Sequence, residues 1–131
     1  MTRYAVVDLE ATDAHSSENK IIQIGIVLVE DGEIVETFST EVNPHEPLLP
    51  RISELTGLSD KQLKTAPEFS EVAAKVRELL TDSVFVAHNA RFDYGLLEKV
   101  FLMLAWNLMK CCVSIQSIWR VFFIQLLKNM V

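Results

Sequence analysis

The sequence is poor in the residues that mark secreted or low-complexity proteins. It has only 2 cysteines, 4 glycines and 4 prolines in 131 residues, and the cysteines are the neighbours Cys111 and Cys112. Adjacent cysteines rarely form a structural disulfide, so they give no sign of an oxidising compartment. The residues after Met1 enter a strand-like run directly, without the architecture of a signal peptide. We therefore expect a cytoplasmic protein.

Positive charge is also scarce. The chain has 12 Lys and Arg against 18 Asp and Glu, a net charge of -6. This balance argues against nucleic-acid binding through a broad basic surface. It does not exclude a nuclease, because bound divalent cations reverse the local sign of a carboxylate site. The length and the hydrophobic content of 50% fit one α/β domain with a single core.

The end of the chain lacks whole classes of residue. No acidic residue follows Glu98, no glycine follows Gly95 and no proline follows Pro67. A membrane helix over Phe101–Val131 would be interrupted by charged residues before roughly 18–20 apolar residues accumulate. An amphipathic helix is no better match, because residues 111–118 show no helical stripe. The sequence thus predicts no membrane span here.

A frameshift is the third explanation for this composition, and the one we favour. Permitted codons for residues 105–129, read one base earlier, can encode a sequence that regains acids, glycine and proline. Residues 100–102 (Val-Phe-Leu) can be encoded through a run of T, where one-base slips are common. We interpret residues 102–131 as an aberrant, frameshifted tail.

Sequencing the gene across codons 100–104 tests this interpretation. We expect the codons to permit the alternative frame and a one-base correction to restore it. Codons that forbid the alternative frame would refute the hypothesis.

The first hundred residues have the pattern of an α/β domain. Apolar runs predict strands, and Asp31-Gly32 between two of them predicts a hairpin turn. Helical spacing, the cap Ser59 and the closing Gly57 predict helices. The predicted strands are Arg3–Leu9, Lys20–Glu30, Glu33–Val42 and Ser83–Ala87, and the predicted helices are Arg51–Thr56, Ser59–Leu63, Glu68–Leu80 and one from the cap Asn89 to about Phe101.

Two carboxylates follow the first apolar run. Residues two apart in a strand point to the same face, so Asp8 and Glu10 are predicted to lie side by side with Leu9 in the core. Two such carboxylates repel unless a cation lies between them, and hard oxygen ligands suit Mg²⁺ or Mn²⁺. On its own the pattern Asp-x-Glu is common, and two solvated side chains would explain it equally well.

A second polar group lies at a predicted strand-to-helix junction. The sequence His88-Asn-Ala-Arg-Phe-Asp93 follows the strand Ser83–Ala87, which places Asp93 about one turn into the next helix. Helix capping would account for Asn89, and a favourable interaction with the helix dipole would account for Asp93. They leave His88 and Phe92 unexplained.

Together these motifs resemble the DEDDh 3′–5′ exonucleases. This family includes the DnaQ-like proofreading subunit (epsilon) of DNA polymerase III and has a ribonuclease H-like fold. The family pattern is also matched by the runs Ile21–Gly25, Asn43-Pro44 and Leu55–Leu58. Within the family, the sequence is similar to the exonuclease module at the start of DinG-type helicases. We therefore interpret residues 1–101 as a partial exonuclease domain, with an α/β, ribonuclease H-like mixed sheet and flanking helices, incomplete at the C-terminus.

The resemblance implies a function and a set of site residues. Two Mg²⁺ or Mn²⁺ ions would be bound by Asp8, Glu10 and Asp93, which would make these three the catalytic residues. The substrate would be the 3′ end of single-stranded DNA, with RNA as a possible alternative. A helicase or polymerase module would be a possible partner. The substrate-binding residues would be Thr12, His88, Asn89 and Phe92.

The sequence departs from the family in its third motif. The family has a late histidine that acts as general base and a final metal-binding aspartate, but no histidine follows His88 and no aspartate follows Asp93. Loss of a general base costs on the order of 10²–10⁴-fold in rate. The alternatives to an active exonuclease are an inactive module that binds nucleic acid or a partner, and a non-functional frameshifted product.

Overall fold

The computed structural model describes residues 2–12 and 19–104 in full, and residues 112–117 as backbone. Most of the predicted tail at residues 102–131 lies outside these ranges. So does Asp13, the residue that follows Thr12.

The elements follow the predicted order of strands and helices. The strand Ser83–Ala87 has the predicted bounds, and the other predicted elements differ by one or two residues at their ends. In chain order they are β1 (Arg3–Ala11), β2 (Ile21–Glu30), β3 (Glu33–Glu41), α1 (Pro50–Thr56), α2 (Asp60–Lys64), α3 (Phe69–Leu80), β4 (Ser83–Ala87), α4 (Ala90–Met103) and β5 (Cys112–Ser117).

The strands form one mixed sheet in the order β3-β2-β1-β4-β5. The first three strands pair antiparallel, and β4 lies parallel to β1, with Val84–Val86 opposite Tyr4–Val6. β5 pairs parallel with β4. We did not predict this fifth strand, because backbone pairing at a sheet edge satisfies N–H and C=O groups without any particular side-chain pattern. The interpretation of residues 102–131 as a frameshifted tail stays a prediction.

One face of the sheet carries the main core. Alternate residues of β1 (Ala5, Val7 and Leu9) are buried in it together with residues of α3 and α4. Two perpendicular ring contacts contribute to this packing, Phe69–Phe101 at 5.4 Å and Phe85–Tyr94 at 5.3 Å between centroids. The second contact joins β4 to α4.

Local chemistry explains most of the turns and helix ends. Asp31 and Gly32 both have positive φ (52° and 78°), which confirms the predicted hairpin turn. Gly57 ends α1 at φ 75°, and Ser59 caps α2 through a capping box. The predicted cap at Asn89 is only half right. Asn89 is the N-cap residue of α4, but its side chain makes no capping hydrogen bond.

In the part of the chain that the structure describes, no helix combines the length and the apolar character needed to cross a membrane.

Candidate active site

Strand β1 presents the first two carboxylates of the site. Leu9 is buried in the core, whereas Asp8 is exposed and Glu10 is half-buried. Because successive strand residues alternate between faces, Asp8 and Glu10 share the face opposite the main core, as predicted.

The junction between β4 and α4 presents the other polar side chains. His88 and Asn89 form an exposed turn after the buried strand β4. Asp93 lies in the first turn of α4, where its backbone N–H donates to the Asn89 carbonyl oxygen at 3.1 Å. Its side chain is only 8% exposed, although it is ionisable. Burial of an ionisable carboxyl group is costly and is typical of a functional site.

A cavity of about 310 Å³ brings these groups together. Three parts of the chain line it: the end of β1, the end of α1 and the β4–α4 junction. The lining residues are Asp8, Leu9, Glu10, Ala11, Ile52, Leu55, Thr56, His88, Asn89, Phe92 and Asp93.

The three carboxyl groups influence one another electrostatically. Burial, and then the charges of Asp8 and Glu10, raise the pKa of Asp93 to about 7. The pKa of Glu10 is raised by burial and by Asp8. Although Asp8 is exposed as a whole, desolvation of its carboxyl group raises its pKa, against an opposing contribution from His88. A cation bound between the carboxylates would relieve this repulsion.

The donor set fits a hard divalent cation by its chemistry. Carboxylate oxygens are the preferred ligands of Mg²⁺ and Mn²⁺. Among the described residues, however, no three His, Cys, Asp or Glu side chains are close enough to hold a metal ion as they stand. The carboxylates would therefore have to change rotamer to close around an ion.

Thr12 lies next to the cavity but does not line it. Its side chain is buried, where the hydroxyl donates to Asn19 Oδ1 at 3.3 Å and accepts from the Lys20 N–H at 3.0 Å. The Thr12 N–H donates to the Lys20 carbonyl oxygen at 2.8 Å. These bonds join the end of β1 to the start of β2. The substrate-binding role of Thr12 stays a prediction.

Phe92 has contacts on two sides. It is half-buried against the main core and also lines the cavity. One part of the ring therefore stabilises α4, while another part faces the space in which a ligand would lie.

The apolar rim on α1 was missed as a site element. Leu55 lines the cavity and is 80% exposed, so it presents apolar surface at the rim. Its helix is anchored by Ile52, which packs in a separate apolar cluster with residues of β2 and α2. The run Leu55–Leu58 in the sequence was the available signal, although no side chain in it has obvious chemistry.

Comparisons with known proteins identify relatives of this chain. Residues 5–130 match the family model RNase_T, described as exonuclease. Curated relatives include "DNA polymerase III PolC-type" from Halalkalibacterium halodurans, 42% identical over 100 residues, and from Staphylococcus aureus, 43% identical over 104 residues. The alignments cover 76% and 79% of this chain but only 7% of each relative.

Solved structures of exonuclease I share the fold. The product-bound enzyme superimposes with a TM-score of 0.80 over 93% of this chain and 31% of its own, at 14% identity. Escherichia coli exonuclease I in complex with a 5cy-dA13 oligonucleotide gives 0.79 over 89% of this chain and 28% of its own, also at 14% identity. The match confirms the predicted ribonuclease H-like sheet with flanking helices.

Proposed function

This chain belongs to the RNase_T exonuclease family, and from this premise we propose that it is a 3′–5′ exonuclease domain that depends on divalent cations. One observation carries the proposal. Three carboxyl groups from β1 and α4 line a single cavity, and the pKa of the most buried one, Asp93, is raised to about 7 by burial and by the other two. Such crowding of like charges is stable only if a cation or a proton compensates for it.

The residues of the cavity have separate tasks in this proposal. Asp8 and Glu10 on β1 and Asp93 on α4 would hold two Mg²⁺ or Mn²⁺ ions. Bound ions of this kind activate a water molecule and stabilise the leaving oxygen in phosphodiester hydrolysis. Since α4 and β1 both belong to the main core, the protein holds the backbone of these ligands rigidly while their side chains adjust.

The substrate in this proposal is the 3′ end of single-stranded DNA. The support is the likeness to exonuclease I, whose structures include complexes with oligonucleotides. His88, Asn89 and Phe92 line the cavity and would contact the terminal nucleotide. RNA stays an alternative substrate. The relatives named above are polymerases, so they favour a polymerase module as the partner. The DinG-type helicase module stays a prediction. The cytoplasmic location also stays a prediction.

A second candidate function is binding without hydrolysis. It is favoured by one observation, the absence of any histidine after His88 and any aspartate after Asp93. The groups that complete the third motif in the family are therefore not provided by these 131 residues. In that case the chain would bind cations and single strands but release no nucleotides.

Degradation of a 5′-labelled single strand by the full chain separates the two functions. With Mn²⁺ present, a 3′–5′ exonuclease shortens the labelled strand stepwise, whereas cleavage from the 5′ end would release the label at once as a mononucleotide. Binding of the strand without shortening would favour the second function. A strand that neither binds nor shortens would contradict both.

Leu55→Ala tests the rim of the site. We expect KM for single-stranded DNA to rise several-fold, because a base in contact with Leu55 buries apolar surface, which contributes roughly 25 cal/mol per Å². Protein stability should change little, since the side chain is 80% exposed. The measurement is the KM for a labelled strand together with a thermal unfolding curve. Leu49→Ala is the control, because Leu49 is also exposed but does not line the cavity.

A further inference from the structure

Strand β2 carries one extra residue opposite the end of β1. Glu10 lies opposite Gln23, but Ala11 lies opposite Ile21, so the register passes over Ile22. This is the arrangement of a β-bulge, which bends a strand locally and is common beside active sites, where it redirects a side chain. The irregularity falls directly after a carboxylate that lines the cavity.

The extra residue changes which side chains of β2 share a face. Ile21 and Ile24 are both buried in the main core, whereas Ile22 is fully buried in the separate cluster that contains Ile52 of α1. A regular strand would place residues 22 and 24 on the same face. The bulge therefore turns Ile22 towards α1, the helix whose residues Ile52 and Leu55 line the cavity.

Beyond the bulge, a buried polar contact joins the end of β1 to the residues before β2. The Thr12 hydroxyl donates to Asn19 Oδ1 at 3.3 Å and accepts from the Lys20 N–H at 3.0 Å, and Thr12 and Asn19 are each only 7% exposed. The Lys20 ammonium group in turn donates to the Pro44 carbonyl oxygen at 3.2 Å and pairs with Glu46 at 3.4 Å. Because a buried polar group that loses its partner is costly, these bonds fix the position of Thr12.

We propose that Asn19 is a positioning residue of the candidate metal site. By holding the Thr12 hydroxyl it fixes the end of β1 beyond the bulge, and with it the direction in which the Glu10 carboxylate enters the cavity. The inference rests on the proposed function, because Glu10 is one of the ligands proposed there. It makes cation affinity depend on a side chain that does not line the cavity.

A purely structural role for this contact would have different consequences. Loss of a buried hydrogen bond lowers the free energy of unfolding wherever the bond lies, but cation affinity changes only if the bond acts on a ligand. Ser83 offers the comparison. Its buried hydroxyl donates to the Leu79 carbonyl oxygen at 3.2 Å, at the start of β4 and so at the other end of the sheet from the carboxylates.

The test is binding of Mn²⁺ to the full chain, followed by the electron paramagnetic resonance signal of the free ion, which requires neither DNA nor hydrolysis. Thr12→Val and Asn19→Leu should each weaken Mn²⁺ binding about tenfold, the lower end of the effect of partners that orient metal ligands. Thr12→Ser keeps the hydroxyl and should bind Mn²⁺ as the unmodified chain does. The double variant Thr12→Val with Asn19→Leu should bind no more weakly than either single variant, because Asn19 acts through Thr12.

Ser83→Ala is the matched control. It should lower the midpoint of a thermal unfolding curve, as Thr12→Val does, but leave Mn²⁺ affinity unchanged. Unaltered Mn²⁺ affinity in both Thr12→Val and Asn19→Leu would overturn the inference, and so would additive losses in the double variant. If Asn19→Leu did not fold, Thr12→Val and Thr12→Ser would decide the same contact from its other side. If the unmodified chain bound no Mn²⁺, the metal site of the proposed function would fail, and the inference with it.

Discussion

Replacement of Asp8 by Asn together with Glu10 by Gln should lower the cation-dependent rate of 3′-end hydrolysis by about 100- to 1000-fold. The expected size follows from the several kcal/mol that bound metal ions contribute to such reactions, at 1.36 kcal/mol per factor of ten. Both amides have nearly the size of the acids that they replace but carry no charge. The variant would therefore keep the fold and lose two ligands. The measurement is the initial rate with a 5′-labelled single strand in the presence of Mn²⁺.

The hairpin between β2 and β3 offers a matched control for this double replacement. Asp31→Asn with Glu33→Gln removes the same charges from exposed positions outside the cavity. Asn is suited to position 31 because it tolerates positive φ. The control should hydrolyse DNA at the unmodified rate. An equal rate in the Asp8/Glu10 variant would contradict the assignment of the metal ligands.

In the absence of metal, Asp93→Asn should be more stable than the unmodified chain at pH 8. Its advantage should be smaller at pH 5. The pKa of Asp93 is about 7 in the folded chain, against about 3.9 for an unperturbed Asp. Between these values the folded state binds a proton that the unfolded state has lost, so the free energy of unfolding falls as pH rises from about 4 to 7. The full difference of about 3 pKa units corresponds to about 4 kcal/mol, of which about 3 kcal/mol falls between pH 5 and pH 8. Asn at this position carries no charge and avoids the loss.

Urea unfolding of both proteins at pH 5 and pH 8, with EDTA present, measures this effect. The unmodified chain should lose more stability between the two pH values than Asp93→Asn does. Addition of Mn²⁺ at pH 8 should restore stability to the unmodified chain by mass action and have a smaller effect on the variant. If the free energies of unfolding of the two proteins changed with pH in parallel, Asp93 would not be the group whose raised pKa lowers the stability.

Local sequence chemistry was sufficient to predict most individual elements of this fold. The turn at Asp31-Gly32, the end of α1 at Gly57 and the cap at Ser59 each depend on residues close in the chain. The shared face of Asp8 and Glu10 follows from the two-residue period of a strand. Such features need no knowledge of the rest of the molecule.

The arrangement of the site was less accessible to sequence reasoning. Family resemblance linked Asp93 to Asp8 and Glu10, but periodicity could not, because more than eighty residues separate them. Their convergence depends on the parallel pairing of β4 with β1, which places the ends of both strands at the same edge of the sheet. The exposed rim residue Leu55 and the buried hydroxyl of Thr12 were likewise visible only after packing had positioned α1 and the start of β2.

The sequence by itself determined the family, the candidate site carboxyl groups and the order of strands and helices up to α4, because these depend on residue type and short-range spacing. Only the tertiary structure decided the cavity shared by three carboxyl groups, the raised pKa of Asp93, the α1 rim and the pairing of β5 with β4. The physical reason is that burial, charge repulsion and sheet-edge hydrogen bonding arise between segments that are distant in the chain. Their strength depends on distances that no local pattern of residues specifies.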